Sequence, residues 1–130
     1  MIRELQSLPG AHYLGDPSVP GPEMAAVLRR TVFAPSGRGH VVLDTTRLCD
    51  ASACGAIPVV VGAALELGST FRHYRDPPWL FAESWSQARV EIEKLLAMPP
   101  QVLIDRRSKV LQWWKEIVLS IRRNISEALI

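Results

Sequence analysis

No apolar run in this chain of 130 residues approaches the roughly 20 needed to cross a bilayer. The opening residues MIRELQSLPG lack the apolar centre of a signal peptide, so neither a membrane segment nor a secretory leader is expected in this chain. Charge of one sign is also scarce: 15 Lys and Arg against 13 Asp and Glu leave a formal net charge of +2. The basic residues are scattered among acidic neighbours, and the aromatics, at 7%, are not interleaved with them as a single-strand binder requires. Nucleic acid is therefore not an expected partner. Cysteine is limited to Cys49 and Cys54. Five residues apart in a predicted helix, they point in different directions and cannot bridge, and they read as small buried apolar side chains. Neither GxGxxG nor the Walker lysine motif occurs, His12, His40 and His73 have no ligand-like spacing, and no internal repeat or low-complexity segment is visible.

What is present fits a single folded domain over residues 1–130. Apolar residues make up 48% of the chain and charged residues 22%. A domain of this length withdraws roughly two thirds of its unfolded surface from water. Residues 11–14 are a weak strand candidate, followed by the loop GDPSVPGP. A helix is expected from near Pro22, with Glu23 favouring its dipole and Met24, Val27 and Leu28 on one stripe. A strand over 31–34 should end at Pro35. After the loop bearing Gly37 and Gly39, Asp44 is a good cap for a helix over TTRLCDASAC, which Gly55 ends. Residues 57–61, IPVVV, have the continuous β-branched run of a strand buried on both faces of a parallel sheet. Residues 62–78 carry few helix or strand signals. A short strand over 79–81 follows, then a helix capped by Ser84 and Gln87 that stops at Pro99 and Pro100, then a last helix from about Val102. Its stripe of Val110, Trp114, Ile117, Val118, Ile121 and Ile125 must lie against something, while Arg106, Lys109, Lys115, Glu116 and Arg122 occupy the other faces. The order predicts an α/β fold: one Rossmann-like layered domain with a small, mainly parallel sheet and a long C-terminal helix.

The chemistry concentrates in residues 33–61. In parallel sheets ligands bind beyond the carboxyl ends of the strands, where loops enter helix N-termini. Ser36, Gly37, Arg38 and Gly39 could present backbone N–H groups to an anion, in the manner by which folds hold diphosphate. Arg47 falls in the first turn of the next helix, where a cation opposes the dipole unless an anion is bound beside it. Arg47, Asp50, Ala51 and Cys54 fall along one helical face, which joins a guanidinium for phosphate and a carboxylate for a ribose diol to small neighbours that leave space. The competing reading is a solvated Arg47–Asp50 ion pair spaced i, i+3, worth about 0.2–0.5 kcal/mol.

This segment, FAPSGRGHVVLDTTRLCDASACGAIPVVV, resembles the donor-binding region of the exostosin-like glycosyltransferases. The matching residues are Phe33, Pro35, Gly37, Arg47, Asp50, Ala51, Gly55, Ile57, Pro58, Val59 and Val60. The likeness extends through PWLFAESW, KLLAMPP and RRSKVLQWW, so that it spans roughly residues 27–118. It implies the C-terminal half of a GT-B architecture, two Rossmann-like domains around a cleft, transferring a hexosyl or pentosyl group with inversion from a nucleotide sugar, usually a UDP-sugar, to a glycan or glycoprotein acceptor. By this likeness Arg47 meets the diphosphate, Asp50 meets the ribose, and Ser36, Gly37, Arg38 and Gly39 border the donor. The family's serine ahead of the arginine corresponds to Thr45 or Thr46. Its more frequent glutamate is replaced by Asp50, one methylene shorter. No Asp-x-Asp pair of the metal-dependent, single-domain transferases is present, so neither a metal nor a cofactor besides the nucleotide sugar is expected. The likeness also implies a second, N-terminal acceptor domain, which 130 residues cannot accommodate. A partner chain supplies it, or the chain is a fragment, or it is a diverged remnant that binds without catalysing and serves as a protein-interaction module. Relatives commonly work in the Golgi lumen behind a membrane anchor.

Other residues carry weaker signals. His73, Arg75 and Asp76, in FRHYRDPP, could close over a donor if the loop after Val61 emerges at a carboxyl end, or could form an exposed basic surface. His40 is a candidate for phosphate or acceptor contact, or simply a solvated loop residue. Trp79 and Trp85 read as core, and of Trp113 and Trp114 one is core and the other faces a docking surface. Glu66 and Glu83 are candidate carboxylates without a partner at acid/base spacing. A receiver-like phosphate sensor ranks last, since such domains gather acidic residues at their strand ends.

Overall fold

A computed structural model describes residues 1–11, 20–37, 43 and 46–129. The elements in order are α1 (Ile2–Leu5), α2 (Gly21–Arg30), β1 (Phe33–Ser36), α3 (Thr46–Ala53), β2 (Ile57–Val61), α4 (Ala64–Phe71), β3 (Leu80–Ala82), α5 (Trp85–Leu96) and α6 (Pro100–Ala128). The strands form a parallel sheet in the order β1-β2-β3, with Phe33 opposite Ile57 and Val59 opposite Leu80. This is an α/β fold with a small parallel sheet and a long C-terminal helix, as its alternating elements predict.

β2 is the central strand, and its run of apolar residues has the burial such a position demands: Ile57, Val59 and Val60 are almost wholly withdrawn from solvent. Alternate side chains of β2 serve two cores. Ile57 and Val59 pack with Leu80, Ala82, Ala88, Ile92, Val110 and Leu5 on the face covered by α1 and α5. Val60 packs with Leu48, Phe71, Trp79 and Trp113 on the face covered by α3 and α4. Val110 and Trp113 send one helix, α6, into both cores, so it joins the two layers.

The strand expected over 31–34 lies two residues later and contains Pro35. Among the described residues β1 pairs only with β2, and a proline's missing N–H is tolerated in such an edge strand. The expectation of few regular signals over 62–78 is corrected by α4. Gly68 and Thr70 weaken its intrinsic helicity, and its N-cap, Ala63, has no side-chain cap, so packing of Leu67 and Phe71 sustains a helix that propensity does not announce. α1 was equally unmarked. It is held by Leu5 in the core and by Arg89, whose Nη1 donates to the Glu4 carbonyl at 2.7 Å and to Ser7 Oγ. Apart from Ala11, the strand candidate at 11–14 lies outside the described residues.

Helix boundaries follow local chemistry closely. Ser84 Oγ accepts from the Gln87 N–H at 3.1 Å, and Gln87 Oε1 accepts from the Glu83 N–H at 2.8 Å, so the cap runs in both directions. At the end of α3, Gly55 adopts φ +76°; its N–H donates to the Ser52 carbonyl and that of Ala56 to the Ala51 carbonyl, a Schellman closure. Two arginines of α6 are structural rather than solvated. Arg107 donates from Nε to the Gly55 carbonyl at 2.8 Å and from Nη2 to the Arg29 carbonyl at 2.7 Å, tying the ends of α2 and α3. Arg106, placed by its spacing on a solvent face, is half-buried and donates to the Trp79 carbonyl at 3.0 Å; burial holds its guanidinium below its ordinary pKa.

Candidate functional site

The β1–α3 connection begins at Ser36, which is buried, and Gly37, which is half-buried. The Met1 side chain reaches this turn: its Cε lies 3.9 Å from the point a Cβ on Gly37 would occupy. Leu43, further along, packs over the carboxyl end of β2 so closely that a Cβ on Gly62 would stand 2.6 Å from its Cδ1. A side chain at 62 would require the Leu43 side chain to move aside. Buried Leu43 thus rests on a bare glycine at the end of β2, and Glu66 Oε2 lies 3.5 Å from the same point.

On α3, Thr46, Arg47 and Asp50 are exposed, whereas Leu48, Ala51 and Ser52 turn inward. Arg47 is the second residue of the helix. Among the described residues neither an ion pair nor a side-chain hydrogen bond engages Arg47 or Asp50, so the i, i+3 pair considered from spacing does not form. Ala51 is 2% exposed, which corrects the expectation that its small side chain leaves space for a ligand: the methyl group fills the core beneath the helix. Arg38, Gly39, His40, Asp44 and Thr45 lie outside the described residues. Cys49 and Cys54 form no disulfide and are half-buried rather than core.

His73, Arg75 and Asp76 are exposed, and the structure does not bring them to Arg47. α4 intervenes after β2 and carries the chain back, so that residues 72–79 enter β3 at its amino end. In a parallel sheet that is the end opposite the β1–α3 turn. There the segment borders two open grooves meeting at Tyr74. One, of about 480 Å³, is lined by His73 and Arg75 with Ile117, Ser120 and Ile121 of α6. The other, of about 410 Å³, lies between α4 and β3 and is lined by Asp76, Arg72, Phe71 and Phe81. No signal in the sequence separates these grooves from an ordinary loop, because they depend on α4 and on the distant helix α6.

Trp79 is core, as expected, whereas Trp85 is half-buried against the other cluster; of the tryptophan pair it is Trp113 that is buried, while Trp114, which the spacing placed on the apolar stripe, is half-buried against the same cluster as Trp113. Trp79 Nε1 donates at 3.0 Å to Ser52 Oγ, which donates in turn to the Leu48 carbonyl at 2.7 Å. Ser52, absent from the candidates drawn from the sequence, therefore serves the fold. Of the two candidate carboxylates, Glu66 is half-buried near the carboxyl end of β2, while Glu83 is exposed at the start of α5. Among the described residues no group of three His, Cys, Asp or Glu could hold a metal ion, and no helix is long and apolar enough to cross a membrane. In comparisons with known proteins, no family model, no curated protein and no solved structure matches this chain.

Proposed function

We propose that this chain is a nucleotide-sugar-binding domain, equivalent to the C-terminal, donor-holding half of an exostosin-like GT-B glycosyltransferase. The observation that carries the reading is Arg47: an exposed guanidinium without a protein partner among the described residues, in the first turn of α3. A cation there is unfavourable by about 0.3–1 kcal/mol until an anion neutralises it. A diphosphate seated over the turn after β1 offsets that cost and takes charge-assisted hydrogen bonds from Arg47 and from backbone N–H groups, with Thr46 beside it. Asp50, one turn further on, is spaced to accept from a ribose diol. The chain binds the donor, and transfer to an acceptor requires a second domain or a partner chain with the catalytic base.

Calorimetric titration of the chain with UDP, without added metal, tests this reading. Saturable binding that falls at least tenfold in Arg47→Ala and less in Asp50→Ala supports it; no heat at millimolar UDP refutes it.

A second reading rests on α6. Beyond Val118 its apolar residues are bare: Leu119, Ile121 and Ile125 are each more than half exposed and Leu129 is 83% exposed. A noncatalytic interaction module would use this face, rather than one at Trp113 or Trp114, and would be indifferent to nucleotides.

A further inference from the structure

We infer that the groove between α4 and β3 is a carbohydrate-binding subsite, distinct from the β1–α3 turn and independent of the donor reading. Its lining combines aromatic and apolar surface with one carboxylate and one guanidinium. Phe81 is 37% exposed on β3, Phe71 stands 5.8 Å from it between ring centroids, and Tyr74 lies 5.7 Å from Phe71. Gly68 leaves the α4 side open, since a Cβ there would meet nothing within 4 Å. Arg72 and Asp76 line the same groove but form no ion pair with each other among the described residues. Arg72 Nε donates to His73 Nε2 at 3.3 Å, which leaves its two Nη groups for another acceptor, and the Asp76 carboxylate has no partner among the described residues.

Asp76 carries the argument further. Its φ of +41° is the only positive value at a non-glycine position among the described residues, in a region where glycine sits at little cost and other side chains are strained. Aspartate tolerates this conformation better than most side chains, so the turn presents the Asp76 carboxylate at modest cost, and glycine there would keep the same backbone. The segment is also held in place before any ligand arrives. Trp113 Nε1 donates to the Arg75 carbonyl at 2.8 Å, the Tyr74 N–H donates to the Phe71 carbonyl at 3.0 Å, and Pro77 and Pro78 restrict the chain that follows.

One positive and one negative group leave this lining neutral, which disfavours a bare ion and suits a neutral ligand with both donors and acceptors. The groove is open to solvent rather than enclosed, which suits one unit of a longer chain better than a fully buried small molecule. A pyranose ring meets these terms: its C–H face packs on Phe81 and Tyr74, its hydroxyls donate to Asp76, and its oxygens accept from Arg72.

The test is ¹H–¹⁵N shift mapping of the whole chain titrated with cellotetraose, mannotriose and N-acetyllactosamine, with free L-phenylalanine as the zwitterionic competitor for the same lining. We expect at least one saccharide to shift Gly68, Arg72, Asp76 and Phe81 saturably while Thr46 and Arg47 stay fixed. Asp76→Gly relieves the backbone and so keeps or raises the melting temperature, yet should weaken saccharide binding at least tenfold. No saturable shift of these residues with any of the three saccharides at 10 mM overturns the proposal. So does binding of L-phenylalanine alone, or saccharide binding that Asp76→Gly leaves intact. UDP binding at Arg47 is read separately from the same spectra, so failure of one site does not imply failure of the other.

Discussion

At the level of single residues, polar side chains in the interior serve the fold, and those on α3's outer face remain open to a ligand. Ser52 Oγ accepts the indole N–H of buried Trp79. Ser52→Ala leaves that donor without a partner, at a cost of about 1–3 kcal/mol, and thermal unfolding should show the loss. Gly55→Ala forces an L side chain into φ +76° with its Cβ 3.1 Å from Leu111; a loss of about 1–2 kcal/mol or more is expected in denaturant unfolding. The contrasting case is Arg47. It is exposed, with neither an ion pair nor a side-chain hydrogen bond among the described residues, so Arg47→Ala should leave the apo protein's melting temperature unchanged or slightly raised and alter only binding.

Among elements, legibility in the sequence follows how local the determining forces are. β2 was legible because burial on both faces requires an uninterrupted apolar run, and α5 because Ser84 and Gln87 sit at capping distance and bond as that spacing implies. α4 was not, since its stability comes from Leu67 and Phe71 meeting a core assembled from β2, β3 and α6. The candidate site divides in the same way. The exposure of Arg47 and Asp50 follows from helical periodicity, but Ala51, expected beside them, is turned under the helix into the core. The placement of His73, Arg75 and Asp76 at the other end of the sheet could not be seen without knowing that a helix precedes them. α6 shows a further limit: its apolar stripe predicts burial along the whole length, yet burial ends near Val118. The consequence is measurable, because Ile121→Lys with Ile125→Lys should change the folding free energy by less than about 0.5 kcal/mol, whereas Val110→Ala, fully buried, should cost about 1–3 kcal/mol.

For the whole molecule, three parallel strands between helical layers set two surfaces at opposite ends of the sheet. The turn after β1 leads to α3's first turn and an exposed arginine without an ion pair among the described residues, and the segment entering β3 offers grooves lined by aromatic and charged side chains. The central claim is that the first of these holds the diphosphate of a nucleotide sugar. It is tested most directly by mapping amide shifts of the ¹⁵N-labelled chain during titration with UDP. Saturable perturbation centred on Ser36, Gly37, Thr46 and Arg47, lost in Arg47→Ala, is the predicted result; an unchanged spectrum at millimolar UDP, or perturbation confined to residues 68–81, would contradict it.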